Sequence, residues 1–525
     1  MIRVYNTQSR HKDDLVTIEP QKVKMYVCGP TTYNYIHLGN ARPLVVFDTI
    51  RRYLTYRGYD VTYVQNFTDV DDKIINRAAE EGIEAKDLAE RYIDEYFKDA
   101  EALGILPAAL NPRVSEHIPD IITVIDGLIS KGHAYEVEGD VYFRVSSFKD
   151  YGKLSGRSLD EMLAGARVEV DERKESPMDF ALWKKAKAGE PAWDSPWGQG
   201  RPGWHIECSV MSMKYLGSSL DIHGGGADLI FPHHENEIAQ SEAYSGQTFV
   251  RFWLHNGFIT VNKEKMSKSL GNFFIVRDIL DKFPAPVVRF YLLATHYRSP
   301  LDFDDTKLEE AGRALDRLRN TRTLLEETKK TGQDKAASQE EQMLRTLEEC
   351  RAEFILAMDD DFNTALAISH LFEMARALNS FLASPGVKSA AVLEEAEKIY
   401  GQLIEVLGLD LKVSSAGSGI IEEAAQALIG FRAAARQDKD YSSADMVRDI
   451  MSRHGIILED GKDTSRVKIQ NELDLEVFMA DIIDLREILR KNKNYTRADS
   501  LRDYLGQAGI IIEDTREGVR WKVKN

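Results

Sequence analysis

The sequence predicts a doubly wound parallel α/β sheet split by an insertion, followed by helices and by a small α+β unit present twice. Three observations carry that prediction. A strand–helix–strand pattern opens the chain, a looser stretch separates it from a second α/β half, and residues 54 apart repeat along the tail. In the opening pattern, KVKMYVCG is an apolar, β-rich run ending in Gly-Pro, as a buried parallel strand and its exit turn should. LVVFDTIRRYLTYRG has helical apolar spacing and stops at Gly58, and DVTYVQNFTD supplies the next strand. Ligands of such sheets gather at the carboxyl ends of the strands, where Cys28 and Thr68 fall.

This first half covers residues 1–115. From 116 to 202 the pattern loosens: GDVYFRV reads as an antiparallel strand, and the Trp-, Pro- and Gly-rich EPAWDSPWGQGRPGW reads as loop. The second half, 203–272, runs from GWHIECSVMSMKYLG through GGGADLIFPHHENEIAQSEA to WLHNGFITVNKEKMSKSLGN. Residues 273–412 are helical, alternating apolar faces with charge, and TGQDKAASQ, SPGVKS and SSAGSG read as connectors. The tail then repeats at a constant offset of 54: Arg432/Arg486, Arg436/Arg490, Tyr441/Tyr495, Asp445/Asp499, Arg448/Arg502, Gly455/Gly509 and Asp460/Asp514. An offset without gaps means a duplicated unit, here at 426–470 and 478–525, each copy two helices and a short strand.

Composition narrows the function. At roughly 150 residues per domain, 525 residues suggest three to four domains and exclude a single small binding module. No apolar run approaches the roughly 18 residues of a membrane span, and MIRVYNTQSRHKDDL has no signal-peptide core, so a cytoplasmic protein that does not engage a membrane is expected. The three cysteines, Cys28, Cys208 and Cys350, exclude a disulfide framework and leave metal ligation open, with Cys350 reading as an inert helix residue. An excess of 85 acidic over 68 basic residues excludes a surface coated for nonspecific nucleic-acid binding. RNA would have to meet local basic stretches, such as 313–330 with six basic against three acidic residues, or 484–525 with ten against seven.

Four motifs carry chemistry. HLGN at 37–40 stands between a strand end and a helix start, where backbone N–H groups and the helix dipole attract phosphate and a histidine can donate to it; alone it could equally be a capped turn. KMSKS at 265–269 sets two lysines on a Gly-bounded loop, a mobile cationic clamp for charge on a transferring phosphate. GGGAD at 224–228 lets a backbone approach a nucleotide, with Asp228 able to accept from a ribose hydroxyl, or is simply a turn. PHHENE at 232–237 puts His233 and Glu237 one helical turn apart, the spacing of metal ligands and also of an ordinary surface pair. Adding Cys28 and Cys208 would complete a zinc set of two thiolates, an imidazole and a carboxylate, although no spacing joins Cys28 to the others.

Taken together, MYVCGPTTYNYIHLGNARPLVVFD, NFTDVDDKIINRA, GWHIECS, GGGADLIFPHHENEIAQ and KMSKSLGNF resemble the cysteinyl-tRNA synthetases, a family of class I aminoacyl-tRNA synthetases, in family order from about residue 20 to 275. The resemblance implies a Rossmann-type catalytic domain, a connective insertion, a stem-contact and helical-bundle region, and an anticodon-binding-like tail. It implies Cys28, Cys208, His233 and Glu237 as ligands of one zinc ion that takes the substrate thiolate and so rejects serine, with Thr68 and Trp204 contacting the amino acid. It implies His37 and Asn40 on the ATP phosphates, Gly39, Gly224, Gly225 and Asp228 around the nucleotide, and Lys265 and Lys268 on the charge that develops at the α-phosphate. The products are cysteinyl-adenylate and then cysteinyl-tRNA, with Mg2+ accompanying ATP.

The family's anticodon contacts match Arg436, Asp445 and Asp460 in one tail copy and Arg490, Asp499 and Asp514 in the other. A doubled tail departs from the family's single copy, so which copy reads the anticodon stays open. Nothing in the sequence demands a dimer, and a monomer is expected. Two competing readings are a cysteine-activating amino-sugar ligase of thiol biosynthesis, which has no use for such a tail, and a catalytically silent tRNA-binding paralogue.

Overall fold

A computed structural model describes residues 1–158, 172–261, 264–265, 274–330, 338–411, 415–460, 465–469, 475–515 and 518–523. The chain divides into two compact units, Met1–Leu411 and Lys412–Asn525.

In the first unit the central sheet consists of β1 (Lys22–Val27), β2 (Asp60–Gln65), β3 (Leu220–Gly226) and β4 (Val250–Asn256). The strands lie side by side in the order β2-β1-β3-β4 and run parallel throughout. Winding therefore proceeds outward in both directions from the β1–β3 pair, which makes the carboxyl ends of β1 and β3 the switch point where ligands bind. Helix α1 (Leu38–Tyr56) crosses from β1 to β2, α2 (Trp204–Leu216) leads into β3, and α3 (Glu235–Ser245) links β3 to β4. Tyr26, Val27, Ile222 and Leu254 are fully buried, as strands covered on both faces should be.

The insertion carries a sheet of its own. A helix, Ile118–Ser130, precedes four antiparallel strands, Ala134–Val137, Asp140–Phe143, Phe180–Lys185 and Gly200–Pro202. The last of these falls in the stretch that the sequence suggests is loop. It is an edge strand whose glycine is needed sterically, because a Cβ on Gly200 would stand 2.2 Å from the Trp183 indole nitrogen.

Helices Ala285–Leu293, Asp305–Lys329, Ser338–Asp359, Thr364–Ala383 and Ala390–Leu407 follow, and their apolar faces share one core with α1 and the sheet. A buried ion pair ties the two layers. Arg289 donates to Asp48 Oδ2 at 2.5 Å and also to the carbonyls of Leu407 (2.8 Å) and Leu103 (3.1 Å). Burial would raise the Asp48 carboxyl, but Arg289 and Arg52 outweigh it and hold the pKa below its usual value.

In the second unit each copy of the repeat is two helices and a hairpin. The first copy comprises Ser415–Gln437, Tyr441–Arg453 and the pair Ile456–Asp460/Ser465–Ile469. The second comprises Leu475–Lys491, Tyr495–Gln507 and Ile510–Thr515/Gly518–Val523. The sequence predicts a single strand per copy; each return strand matches its partner in length but lacks the aliphatic run, Ile456–Leu458 or Ile510–Ile512, that marks the first. SSAGSG, which reads as a connector, is instead helical from Ser415. Poor intrinsic propensity is overridden there by the buried face that Ile421, Ala424 and Ala425 begin.

Asp48→Asn leaves the Arg289 guanidinium buried without its counter-ion. It should cost about 3–5 kcal/mol, read as a lower urea midpoint for the first unit. An unchanged midpoint would show that the helices are held to the sheet without the pair.

Candidate active site

A cavity of about 420 Å³ opens at the carboxyl ends of β1, β3 and β4. Cys28 and Gly29 line it from β1, Gly225 and Gly226 from β3, Asn256 and Gly257 from β4, and His37, Gly39 and Asn40 from the start of α1. The parallel register sets Val27 against Gly224, and the Cys28 N–H donates to the Gly224 carbonyl at 3.3 Å. Gly224 itself is turned away from the cavity: a Cβ there would stand 2.1 Å from the Phe47 ring of α1. Its lack of a side chain serves helix packing rather than the nucleotide expected from sequence, and Gly225, Gly226 and Asp228 face the opening instead.

The same register gathers the metal-ligand candidates. Cys28 Sγ lies 3.6 Å from Cys208 Sγ, 3.6 Å from His233 Nε2 and 3.5 Å from Glu237 Oε1. His233 Nε2 is 3.0 Å from the same carboxylate oxygen. Cys208 comes from the second turn of α2, and Glu237 from the first turn of α3, which a wide turn over Ile230–His234 introduces. A further donor, not anticipated from sequence, joins them: His234 Nε2 stands 3.4 Å from Cys28 Sγ. Ligand atoms of Cys28, His233, His234 and Glu237 all lie within 4.8 Å of one another.

Two enclosed thiols this close cannot both ionise without a neighbouring cation. Burial drives the Cys28 thiol up, while its hydrogen bond to Cys208 draws that thiol down to about 6. Burial opposes the charges on His233 and Glu237, yet His223 and then His233 overcome it for Glu237, as Glu237 and Cys208 do for His233. Glu237, also facing His223, falls to about 2, and His233 rises to about 10. Sulfur, imidazole and carboxylate donors converging in a buried site fit zinc, and the thiols would ionise on binding it.

Histidines extend the cluster. His223 Nε2 meets Glu237 Oε2 at 2.9 Å, His205 Nδ1 meets His233 Nδ1 at 3.0 Å, and His234 Nδ1 meets His255 Nε2 at 2.8 Å. His255 in turn pairs with Thr7 Oγ1 at 2.7 Å. Burial lowers the pKa of His205 and His234 well below the ordinary value and takes His255 to about 3, so these rings are neutral. Five of the twelve histidines fall within residues 205–255, a local density that is the one sequence signal for this cluster.

The remaining expected residues are distributed as follows. His37 caps α1, and its backbone N–H donates to Asn40 Oδ1 at 3.2 Å. Residues just downstream of KMSKS pair with this corner: Leu38 N–H donates to Phe274 O and Val276 N–H to Ile36 O, both at 3.0 Å. Upstream, the Lys265 backbone pairs with Thr260, while Lys268 lies outside the described residues. Trp204 lines the cavity with its ring 4.3 Å from that of His233. Thr68 does not reach the wall. It is buried, its backbone bridges to that of Thr31, and its hydroxyl donates to Glu207 at 3.2 Å. Tyr33, Tyr35 and Lys73 line the opening too; they lie within the quoted motifs MYVCGPTTYNYIHLGNARPLVVFD and NFTDVDDKIINRA but are given no role by the sequence reading. In the second unit, Arg436, Asp445, Arg490 and Asp499 are exposed, and Asp460 and Asp514 lie in the first strand of each hairpin. Among the described residues no helix is long and apolar enough to cross a membrane.

Comparison with known proteins places these observations in a family. Residues 14–313 match the model for the catalytic domain of tRNA synthetases class I (C), and residues 353–412 match the DALR domain. The cysteine–tRNA ligase of Carboxydothermus hydrogenoformans is 58% identical over 99% of this chain and 100% of its own length. That of Heliobacterium modesticaldum is 57% identical over 89% of this chain and 99% of its own. Among solved structures, Mycobacterium tuberculosis methionyl-tRNA synthetase in complex with methionyl-adenylate shares the fold at TM-score 0.57 and 16% identity, over 74% of this chain and 91% of that one. The strand order, the HLGN corner and identity above half along nearly the whole length converge: the chain belongs to the cysteine–tRNA ligases, within the class I tRNA synthetases.

Proposed function

We propose that this chain joins L-cysteine to tRNA(Cys) at the expense of ATP, and that it selects cysteine by zinc held between the halves of its sheet. The observation that carries the reading is the meeting of Cys28, Cys208, His233 and Glu237 beside a cavity that the HLGN corner also lines. We assign those four as the protein ligands of one zinc ion, with His234 packed against them. Bound zinc supplies a soft Lewis acid that accepts a thiolate far better than a hydroxyl. Shape alone could not make that distinction, because serine differs from cysteine by one atom.

In the first step a cysteine carboxylate oxygen attacks the α-phosphorus of ATP, and pyrophosphate leaves. His37 donates to the phosphates at the α1 N-terminus, where Asn40 fixes its backbone. Gly225, Gly226 and Asp228 border the nucleotide, and Trp204 covers the amino acid beside His233. Lys265 and Lys268 stabilise the charge developing on the phosphates. That assignment rests on the motif and on the pairing of its flanks to the HLGN corner. In the second step a hydroxyl of the terminal tRNA ribose attacks the acyl carbon and AMP leaves.

On this reading residues 1–115 and 203–272 are the catalytic halves, 116–202 the connective insertion, 273–412 the stem-contact and bundle region, and 426–470 and 478–525 two anticodon-binding-like copies. Mg2+ accompanies ATP, and the enzyme works as a cytoplasmic monomer.

The purified protein should contain one zinc per chain, exchange pyrophosphate into ATP only when cysteine is present, and charge a tRNA(Cys) transcript. Exchange without charging would instead favour an amino-sugar ligase, and zinc without exchange a silent paralogue. Cys208→Ser should lower zinc content and raise the KM for cysteine about tenfold or more; full zinc occupancy and an unchanged KM would remove Cys208 from the ligand set. Lys268→Ala should reduce kcat for exchange about 100-fold or more with little change in the KM for cysteine. Equal effects on both would contradict a role confined to the transition state.

A further inference from the structure

The two tail copies fold as one body. Phe431, Val447 and Met451 of the first share a single buried core with Phe478, Leu485 and Leu501 of the second. Between them, the Arg497 guanidinium donates to Asp440 at 3.1 Å and to Asp438 at 3.0 Å. Asp440 is the N-cap of the first copy's helix Tyr441–Arg453, and Arg497 lies in the first turn of the equivalent helix Tyr495–Gln507. The first turns of two equivalent helices therefore meet.

At each of these turns a tyrosine stands in solvent. Tyr441 is 60% exposed and Tyr495 is 58% exposed, the two most exposed aromatic side chains among the described residues. Each lies two residues beyond a lysine held in the left-handed region, Lys439 at φ 60° and Lys493 at φ 59°. Such a conformation costs a non-glycine residue roughly 1–2 kcal/mol, and both copies retain it. Packing explains neither ring, since both project away from the core.

Charge distinguishes the copies. Residues 436–449 carry three basic and four acidic side chains, whereas the equivalent 490–503 carry five basic and two acidic. Asn492 and Asn494 replace Asp438 and Asp440, and Arg497 replaces Ser443. The second copy thus gains positive charge of its own and neutralises the acids beside the first copy's tyrosine. Two projecting rings beside the basic turn of the second copy, on a chain of net charge −17, match unstacked bases and their phosphates.

We propose that the two copies form one bipartite RNA face. Tyr441 and Tyr495 each stack on an unpaired base of the same RNA loop, Lys439 and Lys493 meet its phosphates, and the second copy supplies the cationic half. The proposal rests on the tRNA ligase reading and adds to it that both copies engage one RNA together.

The test is binding of an unmodified tRNA(Cys) transcript to the full-length protein. Tyr441→Ala and Tyr495→Ala should each weaken binding about five- to hundredfold, and the double variant more than either. Phenylalanine at either position should restore the affinity, because stacking needs the ring and not the hydroxyl. Lys493→Ala should reduce the salt dependence of log Kd by about one phosphate contact. If one tyrosine accounts for all the binding and alanine at the other changes nothing, the bipartite face is wrong. Failure of phenylalanine to rescue would also overturn the stacking. Cysteine-dependent pyrophosphate exchange by the unsubstituted protein needs no RNA, so the ligase reading is judged separately.

Discussion

The pairing of β1 with β3 is the contact on which the site depends. Met25, Tyr26 and Val27 register with Ile222, His223 and Gly224, residues almost 200 positions away in the sequence. A slip of one residue would turn every side chain of β1 to the opposite face. In the observed register Cys28 leaves the end of β1 directly beside Cys208 and Glu237, brought there by the helices on either side of β3. Gly224 lets Phe47 press against the same strand pair, and Phe47 belongs to the helix that begins at HLGN. One pairing therefore places both the thiol cluster and the HLGN corner.

The cluster can be buried because its charges answer one another. Glu237 is fully enclosed, and a lone carboxylate there would be driven to its neutral form. His223 holds one oxygen and His233 the other, which keeps it ionised. His205, His234 and His255 remain neutral, and Trp253 stacks against the rings of His223 and His255. The surrounding rings fix the orientation of the inner donors. Support of this kind for the innermost donors is what a metal site requires if they are to be in place before the ion arrives.

What the sequence reveals follows from how local each signal is. β1, α1 and β2 announce themselves within about forty residues through apolar period, Gly-Pro and a closing glycine. HLGN and GGGAD are local in the same sense. The duplicated tail is legible because an offset needs no structure to be counted. The antiparallel sheet of the insertion is legible only in part: Asp140–Phe143 reads as a strand, but its partner Phe180–Lys185 pairs with it across a long gap. His234 carries no signal because adjacent residues on a regular helix diverge by about 100°, and only the wide turn over Ile230–His234 brings both imidazoles toward Cys28. Thr68 does lie at a strand end, as its position in the sequence implies, but it is buried and its hydroxyl is held by Glu207. Gly224 is legible as a close approach, yet the approaching group is a phenylalanine rather than a phosphate.

The duplication bears on whether the second copy is an appendage. A duplicated unit that still stacked symmetrically would repeat its contacts at both equivalent positions. Here it does not. His454 Nε2 meets Asp481 at 2.8 Å, and the equivalent pair, Ala508 and Ala427, is apolar. Gly430 admits the Tyr504 ring so closely that a Cβ would stand 2.8 Å from it, while its counterparts are Asp484 and Ile450. Arg497 bridges to Asp438 and Asp440, with no equivalent bridge open to Ser443. Each copy has become specific to the other across a shared core, and removing either would expose apolar surface on the one that remains. The doubled tail is therefore one domain built from two unequal halves.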